Sequence, residues 1–297
     1  MSESTHAFFD FDGTLIEGDS LLFWLRYYYR LRPWRRVFLI ANWLGLILYL
    51  LKIISSHTLK RVFLWPNAFE KPETLESMTS AFVREDLVFR FHRLILERLW
   101  THHFLGHKVV VISASGTFYL KHIQGILPPC LVVGTEMVWG KGVLGFPGFR
   151  GGNLRGENKV IRLRELGMAE TANYSFAYSD HPHDMPLLRF ADFPICVRPT
   201  ARLRRRARSF GWPVWDWPGE RPVWKRRLES LALLLWGWAP ESLDRSGSVN
   251  LPGLPDPGQS ARFLPMHIRA LRERVEAKGP EALDAVFGPK RLTPRIL

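Results

Sequence analysis

The octet Phe8-Phe9-Asp10-Phe11-Asp12-Gly13-Thr14-Leu15 constrains this chain more than any other stretch of it. Its aromatic start reads as a buried strand, which stops at two acids two residues apart with a Gly-Thr turn directly behind. In a parallel sheet the carboxyl ends of strands face the ligand crevice, so Asp10 and Asp12 are expected to project from one strand tip. Gly13 would let the backbone turn tightly beneath a ligand. Two carboxylates this close repel unless a cation lies between them or one takes a proton. Mg²⁺ binds through one or two carboxylates plus phosphate oxygens, and a neighbouring acid can move a proton. A bare Asp-x-Asp also ends strands that do no chemistry, so the other stations decide.

Residues 109–112 form a second apolar strand-like run, ending in Ser113-Ala114-Ser115-Gly116. Backbone N–H groups opening a helix there would make an anion site. Lys159 opens an amphipathic stretch with apolar residues at Val160, Ile161, Leu163 and Leu166. Residues 174–178 are a further strand, closed by Ser179-Asp180-His181-Pro182-His183-Asp184. In order, the chain offers an acid pair, a hydroxyl, a lysine, and two acids four residues apart.

That order resembles the haloacid dehalogenase-like superfamily of phosphatases, over roughly residues 7 to 217. The resemblance implies Asp10 as a nucleophile forming an aspartyl-phosphate, and Asp12 as general acid and then base. It implies phosphate contacts from Gly13, Ser113, Ala114 and Lys159, and a Mg²⁺ site on Asp10, Asp12 and Asp180. Thr14 and Asp184 would stand behind these groups, Asp184 orienting Lys159 or a metal-bound water. An acid at Asp12 suits protonation of an alkoxide rather than release of a halide. The opening octet, Ser-Ala-Ser, Cys196-Val197-Arg198-Pro199 and Gly211-Trp212-Pro213 look like the phosphoserine phosphatase-like subgroup. His181 and His183 could be loop histidines or zinc ligands. The proline between them and the oxygen-rich neighbourhood favour the loop reading. His102 and His103 have no partner at metal-ligand spacing and are expected at a helix end.

The fold expected is α/β, a doubly wound, mainly parallel Rossmann-like sheet with an inserted helical cap. Strands are expected near 6–11, 108–113, 130–134, 174–179 and 193–197, with a hairpin around 136–146 turning at Gly140-Lys141-Gly142. About a hundred residues separate Asp10 from Ser113, too many for a simple crossover. A separate module must be inserted there, and the resemblance implies that it is a mostly helical cap that covers the site and selects substrates. The division is then a catalytic core at 1–16 and 105–217 with a cap at 17–104.

Within the cap, residues 37–54 carry only Asn42, Gly45 and Lys52 as non-apolar interruptions. As one helix these residues would span about 27 Å, just short of a hydrocarbon core. A single crossing would separate Asp10 from Ser113, and no second apolar stretch between 55 and 107 could bring the chain back. The segment is therefore re-entrant, interfacial or the buried core of the cap. The flanking Arg35, Arg36, Lys60 and Arg61, with Trp34 and Trp43, favour the interface.

Net charge repeats the hint. The chain of 297 residues carries +13, and residues 198–227 hold ten Lys and Arg against two acids. An anionic membrane surface, a solvated basic face and nucleic acid could each follow from such a cluster. No helix-turn-helix, zinc-finger or RNP-like motif supports nucleic acid, which is the least favoured of the three. Residues 218–239 are a basic, Trp-rich apolar segment too short to span a membrane. Residues 240–297 are a Pro/Gly/Ser-rich linker and a charged tail with no visible chemistry.

With a strand opening near residue 7, no signal peptide is expected. Cys130 and Cys196 read as core thiols in a reducing compartment. A cytoplasmic protein, peripheral on the inner face of the membrane, is the expectation. The apolar cap and Arg/Trp surface look similar to the phosphatidylglycerophosphatases of the same subgroup, which implies a lipid phosphate monoester as substrate. A soluble metabolite such as phosphoserine is the alternative, and a non-catalytic adaptor on the same fold a remote one.

Overall fold

The computed structural model describes residues 5–140, 145–168, 174–217, 272–273 and 276–277. Apart from those last four positions, the readings made for 218–297 lie outside the described residues, as does the hairpin turn at 141–144.

The described strands are β1 (His6–Phe9), β2 (Lys108–Gly116), β3 (Leu131–Val138), β4 (Gly148–Arg150), β5 (Ser175–Ser179), β6 (Phe193–Val197) and β7 (Val214–Trp215). They form one sheet in the order β4-β3-β2-β1-β5-β6-β7, parallel except where β4 runs back along β3. The α/β, mainly parallel fold read from the sequence is the one observed. β1 is apolar on both faces because both are covered. Ala7 and Phe9 enter one hydrophobic cluster and Phe8 enters the other. α5 (Arg93–Phe104) contributes Ile95 and Leu99 to the first cluster. α7 (Glu157–Glu165), α8 (Met185–Phe190) and α9 (Ala201–Phe210) bring Leu163, Leu187 and Leu203 to the second. Strand order reverses direction at β1, which puts the crevice at the tips of β1, β2 and β5.

Two element boundaries differ from the sequence reading. β2 does not stop at residue 113 but continues through a bulge to Gly116, and the helix behind it, α6 (Thr117–Leu120), is one turn long. That helix is too short to give an anion site much dipole. The β3–β4 hairpin pairs Glu136 with Arg150 and Val138 with Gly148, so it is wider than the expected 136–146.

The insertion consists of α1 (Ser20–Leu31), α2 (Leu39–Leu50), α3 (Ser56–Leu64) and α4 (Pro72–Glu85). Its two ends stand side by side. Ile16 bridges Phe91, the Glu17 N–H donates to Arg90 O at 2.8 Å, and the His92 N–H donates to Leu15 O at 2.8 Å. α5 then lies on the sheet. We therefore place the end of the cap near Phe91 rather than at 104. Trp24 of α1 meets Phe82 of α4 and Phe118 of the core edge to face, and the cap shares one continuous hydrophobic cluster with the sheet.

Residues 37–54 do not form one helix. A tight 3-10 turn, Pro33–Phe38, precedes α2, and Lys52, in the left-handed region at φ 60°, follows its end. Twelve residues at helical rise give α2 a length of about 18 Å. No helix among the described residues is long and apolar enough to cross a membrane. Nor is the segment a buried cap core, since Ile40, Leu44, Leu50 and Ile53 are mostly exposed.

His102, expected at a helix end, does lie in the last turn of α5 but is wholly buried. Its ring nitrogens lie 2.7 Å from His107 Nδ1 and 2.7 Å from the Tyr178 hydroxyl, to which Arg98 Nε also donates. Burial, then Arg98, holds His102 well below the usual histidine range and His107 down to about 4. Both rings are neutral in the fold, whereas the unfolded chain takes up protons near pH 6.5. Their stabilising effect is complete above pH 6.5 and is lost as the pH falls toward 4. For His102 the slope is about 1.4 kcal/mol per pH unit. Asp180, Asp10 and Asp19, whose carboxyls are raised in the fold, act in the opposite sense over the same range, so the histidine effect is read by difference. Lowering the pH from about 7.5 to about 5 should cost wild type more Tm than it costs His107→Gln. An equal change in both proteins would contradict this.

Candidate active site

Asp10 directly follows β1, and its N–H donates to Tyr178 O of the neighbouring β5 at 3.0 Å. Ser113 lies near the end of β2, Asp180 one residue past β5, and Asp184 at the start of α8. Lys159 occupies the first turn of α7, entered through Gly156. The structure thus brings these five positions to one end of the sheet.

Their contacts are close. Lys159 Nζ is 2.5 Å from Asp10 Oδ1 and 2.9 Å from Asp184 Oδ1, and the lysine is 2% exposed. Ser179 Oγ donates to the other Asp184 oxygen at 2.8 Å. The Thr14 hydroxyl lies 3.3 Å from both Asp10 Oδ2 and Asp180 Oδ1 and accepts from the Asp180 N–H at 3.1 Å. A side chain on Gly13, which sits at φ 79°, would run into the Asp180 carboxylate, so this turn requires glycine.

Asp12 faces another way. Its Oδ1 accepts from the Ser20 N–H at 2.7 Å, and its Oδ2 from Ser115 Oγ at 2.5 Å and Ser113 Oγ at 3.3 Å. Ser20 Oγ in turn meets Ser115 Oγ at 2.8 Å and Tyr119 OH at 2.9 Å. The Asp12 carboxylate is therefore oriented by a main-chain N–H of the cap and two hydroxyls of the core, not gathered with Asp10 and Asp180. Ala114 lies between the two serines, its carbonyl accepting from Lys60 Nζ at 2.5 Å and Thr135 Oγ1 at 2.8 Å.

Charge in the site follows from burial and crowding. Lys159 loses solvation, which alone would lower its pKa, but Asp10 and Asp184 more than reverse this and keep it charged. Asp10 is pushed well above the usual carboxylate range by burial and by Asp184 and Asp180, against the pull of Lys159. Burial and Asp184 raise Asp180 to about 7. One ammonium thus serves several acids, and Asp10 and Asp180, which share the Thr14 hydroxyl, are the carboxylates a further cation would neutralise. The donors there are all oxygen, which suits a hard ion. Among the described residues no group of three or more His, Cys, Asp or Glu stands ready to hold a metal. A hard ion would therefore take other ligands from water or a bound anion, as Mg²⁺ commonly does.

Sequence reading missed several contributors. Asp19 caps α1 through the N–H groups of Leu21 and Leu22. Enclosure by protein, then the charge of Asp12, pushes it up to about 6, although its side chain keeps surface open to water. Its signal was an acid immediately before a helix-like stretch. Lys60 of α3 reads in sequence as a flank of the apolar segment, yet it lies close enough to Asp19 and Asp12 to feel both charges. Arg155 is near enough for its charge to oppose that of Lys60, and it donates to Ser56 Oγ at 3.3 Å.

His183 is exposed and stacks on half-buried His181 at 4.7 Å, and neither joins a metal-holding group among the described residues. Burial and His183 bring His181 down to about 4.

A family model described as haloacid dehalogenase-like hydrolase matches residues 7–189. A relative from Streptomyces azureus, called inhibition of morphological differentiation protein, is 29% identical over 74% of this chain and 80% of its own. A histidinol-phosphatase of Neisseria meningitidis is 25% identical over 50% of this chain and 69% of its own. The crystal structure of a Bordetella pertussis protein with unknown function superposes with a TM-score of 0.64 at 23% identity, covering 72% of this chain and 99% of that one.

Proposed function

This chain belongs to the haloacid dehalogenase-like hydrolases and is a phosphatase, and from that premise we propose a Mg²⁺-dependent phosphomonoesterase that works through an aspartyl-phosphate on Asp10. The observation that carries the reading is the buried Lys159 clamped between Asp10 and Asp184, at the strand tip beside Asp180. Asp10 attacks phosphorus as the ester P–O bond breaks, and Asp12 gives its proton to the departing alkoxide. Asp12 then takes a proton from water, which attacks phosphorus and frees Asp10. Lys159 neutralises the incoming oxygens, and Ser113 and the main chain at Gly13 and Ala114 supply further contacts. Mg²⁺ held by Asp10 and Asp180 would offset the repulsion between a phosphate dianion and the acids. The Asp12 carboxylate, already taken up by Ser20, Ser113 and Ser115, is left for proton transfer. Purified protein should release phosphate from p-nitrophenyl phosphate with Mg²⁺ and stop in EDTA. Undiminished turnover in EDTA would refute the metal requirement.

The substrate class we favour is a lipid phosphate monoester, such as phosphatidylglycerophosphate, reached from the inner face of the cytoplasmic membrane. Lys60 and Arg155 support it, because two cations beside Ala114 and Asp12 suit a second anionic group such as a phosphodiester. Asp19 beside Lys60 favours a second reading, a small zwitterionic metabolite whose ammonium would meet the acid. The Neisseria relative's name, histidinol-phosphatase, points the same way. Lys60→Met should raise KM for the true substrate roughly ten- to a hundredfold and change that of p-nitrophenyl phosphate much less. Equal effects on both esters would remove Lys60 from recognition.

A further inference from the structure

α2 is inside out. The face it turns to the protein carries Leu39, Asn42 and Gly45, whereas Ile40, Trp43, Leu44, Ile47, Leu50 and Leu51 are between 41% and 73% exposed. These six recur at helical spacing and so form one continuous outer stripe. A helix packing for its own stability would bury the isoleucines and leucines. Here Asn42 is buried and donates to the Tyr29 hydroxyl at 3.1 Å. Gly45 lets α2 approach Leu59 and Val62 of α3, where even a Cβ would lie 3.2 Å from Val62. The inward side is thus specified as a close contact, and the outward side remains a large apolar surface, which marks an interaction site.

Charge decides what covers it. From Ser20 to Phe69 the chain has no Asp or Glu and eight Lys and Arg. Arg36 and Lys52, both exposed, lie beyond the two ends of the stripe, and Trp34, 63% exposed, lies beside the first. A second copy would bring like charge against like charge, on a chain whose net charge is already +13. Anionic headgroups instead complement the cations while the stripe enters the acyl boundary, where Trp is favoured.

We propose that this face of α2 lies flat in the headgroup–acyl boundary of an anionic bilayer, anchoring the protein without crossing it. At about 18 Å the helix is too short to span but long enough to lie in the plane. α3 lies directly beneath it and turns Lys60 toward the catalytic end of the sheet. One helix would then separate the bilayer from the site. Docking deepens the lipid-phosphate reading but does not require it, so the two can fail separately.

The test is flotation of the full chain with vesicles of phosphatidylcholine, with or without phosphatidylglycerol, beside a Leu44→Glu/Ile47→Glu variant. Wild type should float with the anionic vesicles, and less so at high salt. The variant should lose at least about tenfold in partitioning while hydrolysing p-nitrophenyl phosphate at the wild-type rate. Should that variant fail to fold, Leu50→Glu/Leu51→Glu at the helix end carries the same test. Equal flotation of wild type and variant would overturn the proposal, as would no binding by wild type. So would a wild-type dimer that the substitutions dissociate with vesicle binding unchanged.

Discussion

Asp10→Asn should lower phosphatase turnover by on the order of 10⁴-fold or more, with the protein folded as before. An amide has nearly the shape of the carboxylate but cannot form the aspartyl-phosphate. Stability is the informative control. Asp10 is buried beside Asp180 and Asp184, which push its carboxyl upward, so a neutral side chain removes repulsion. Lys159 keeps Asp184 at 2.9 Å. The variant's Tm should therefore match or exceed that of wild type in metal-free buffer. Wild-type turnover in Asp10→Asn would remove the nucleophile from the account. A collapse in Tm would make the loss of turnover uninformative about chemistry and would contradict the electrostatic reading of the site.

Lys159→Met should act oppositely on stability. Removing the ammonium leaves Asp10 and Asp184 buried without their shared cation, which should cost about 3–5 kcal/mol. Turnover should fall on the order of 10³-fold, because the phosphoryl oxygens lose a fixed positive charge. The two effects can be separated. Adding Asp184→Asn to Lys159→Met relieves part of the buried charge, so the pair should recover stability while turnover stays low. Excess Mg²⁺ should also raise the Tm of Lys159→Met more than that of wild type. If the double variant regained activity together with stability, Lys159 would be a structural lysine.

Both predictions rest on groups that were legible before any coordinates. Asp10, Ser113 and Asp180 were visible because apolar runs too short for helices each ended in a polar turn, a pattern that survives any tertiary arrangement. Lys159 was visible as the start of a helical period. What sequence could not give was orientation. Asp12 was grouped with the metal ligands, but Ser20 and Ser115, ninety-five positions apart in sequence, draw its carboxylate elsewhere. In sequence Lys60 is a basic flank of the apolar segment; the packing of α3 turns it inward. The separation of Asp10 from Ser113 gives the length of the insert but not its inner boundary. Ile95 and Leu99 in the core cluster, with Arg98 and His102 on the Tyr178 hydroxyl, place α5 on the sheet. The apolar run 37–54 was legible as unusual. Its break ahead of α2 and its inverted burial were not, since composition alone does not reveal which face of a helix meets its neighbours.

The central claim is a covalent phosphoryl group on Asp10. Asp12→Asn, which cannot activate water for the second step, should accumulate the intermediate after mixing with Mg²⁺ and p-nitrophenyl phosphate, whose phenolate departs without needing a proton from Asp12. Acid quenching, borohydride reduction of the acyl-phosphate and peptide mass spectrometry then locate it. The expected result is homoserine at position 10, dependent on substrate and absent from Asp10→Asn. Reduction at another residue, or phosphate release by wild type with position 10 unmodified in every quenched sample, would contradict the account.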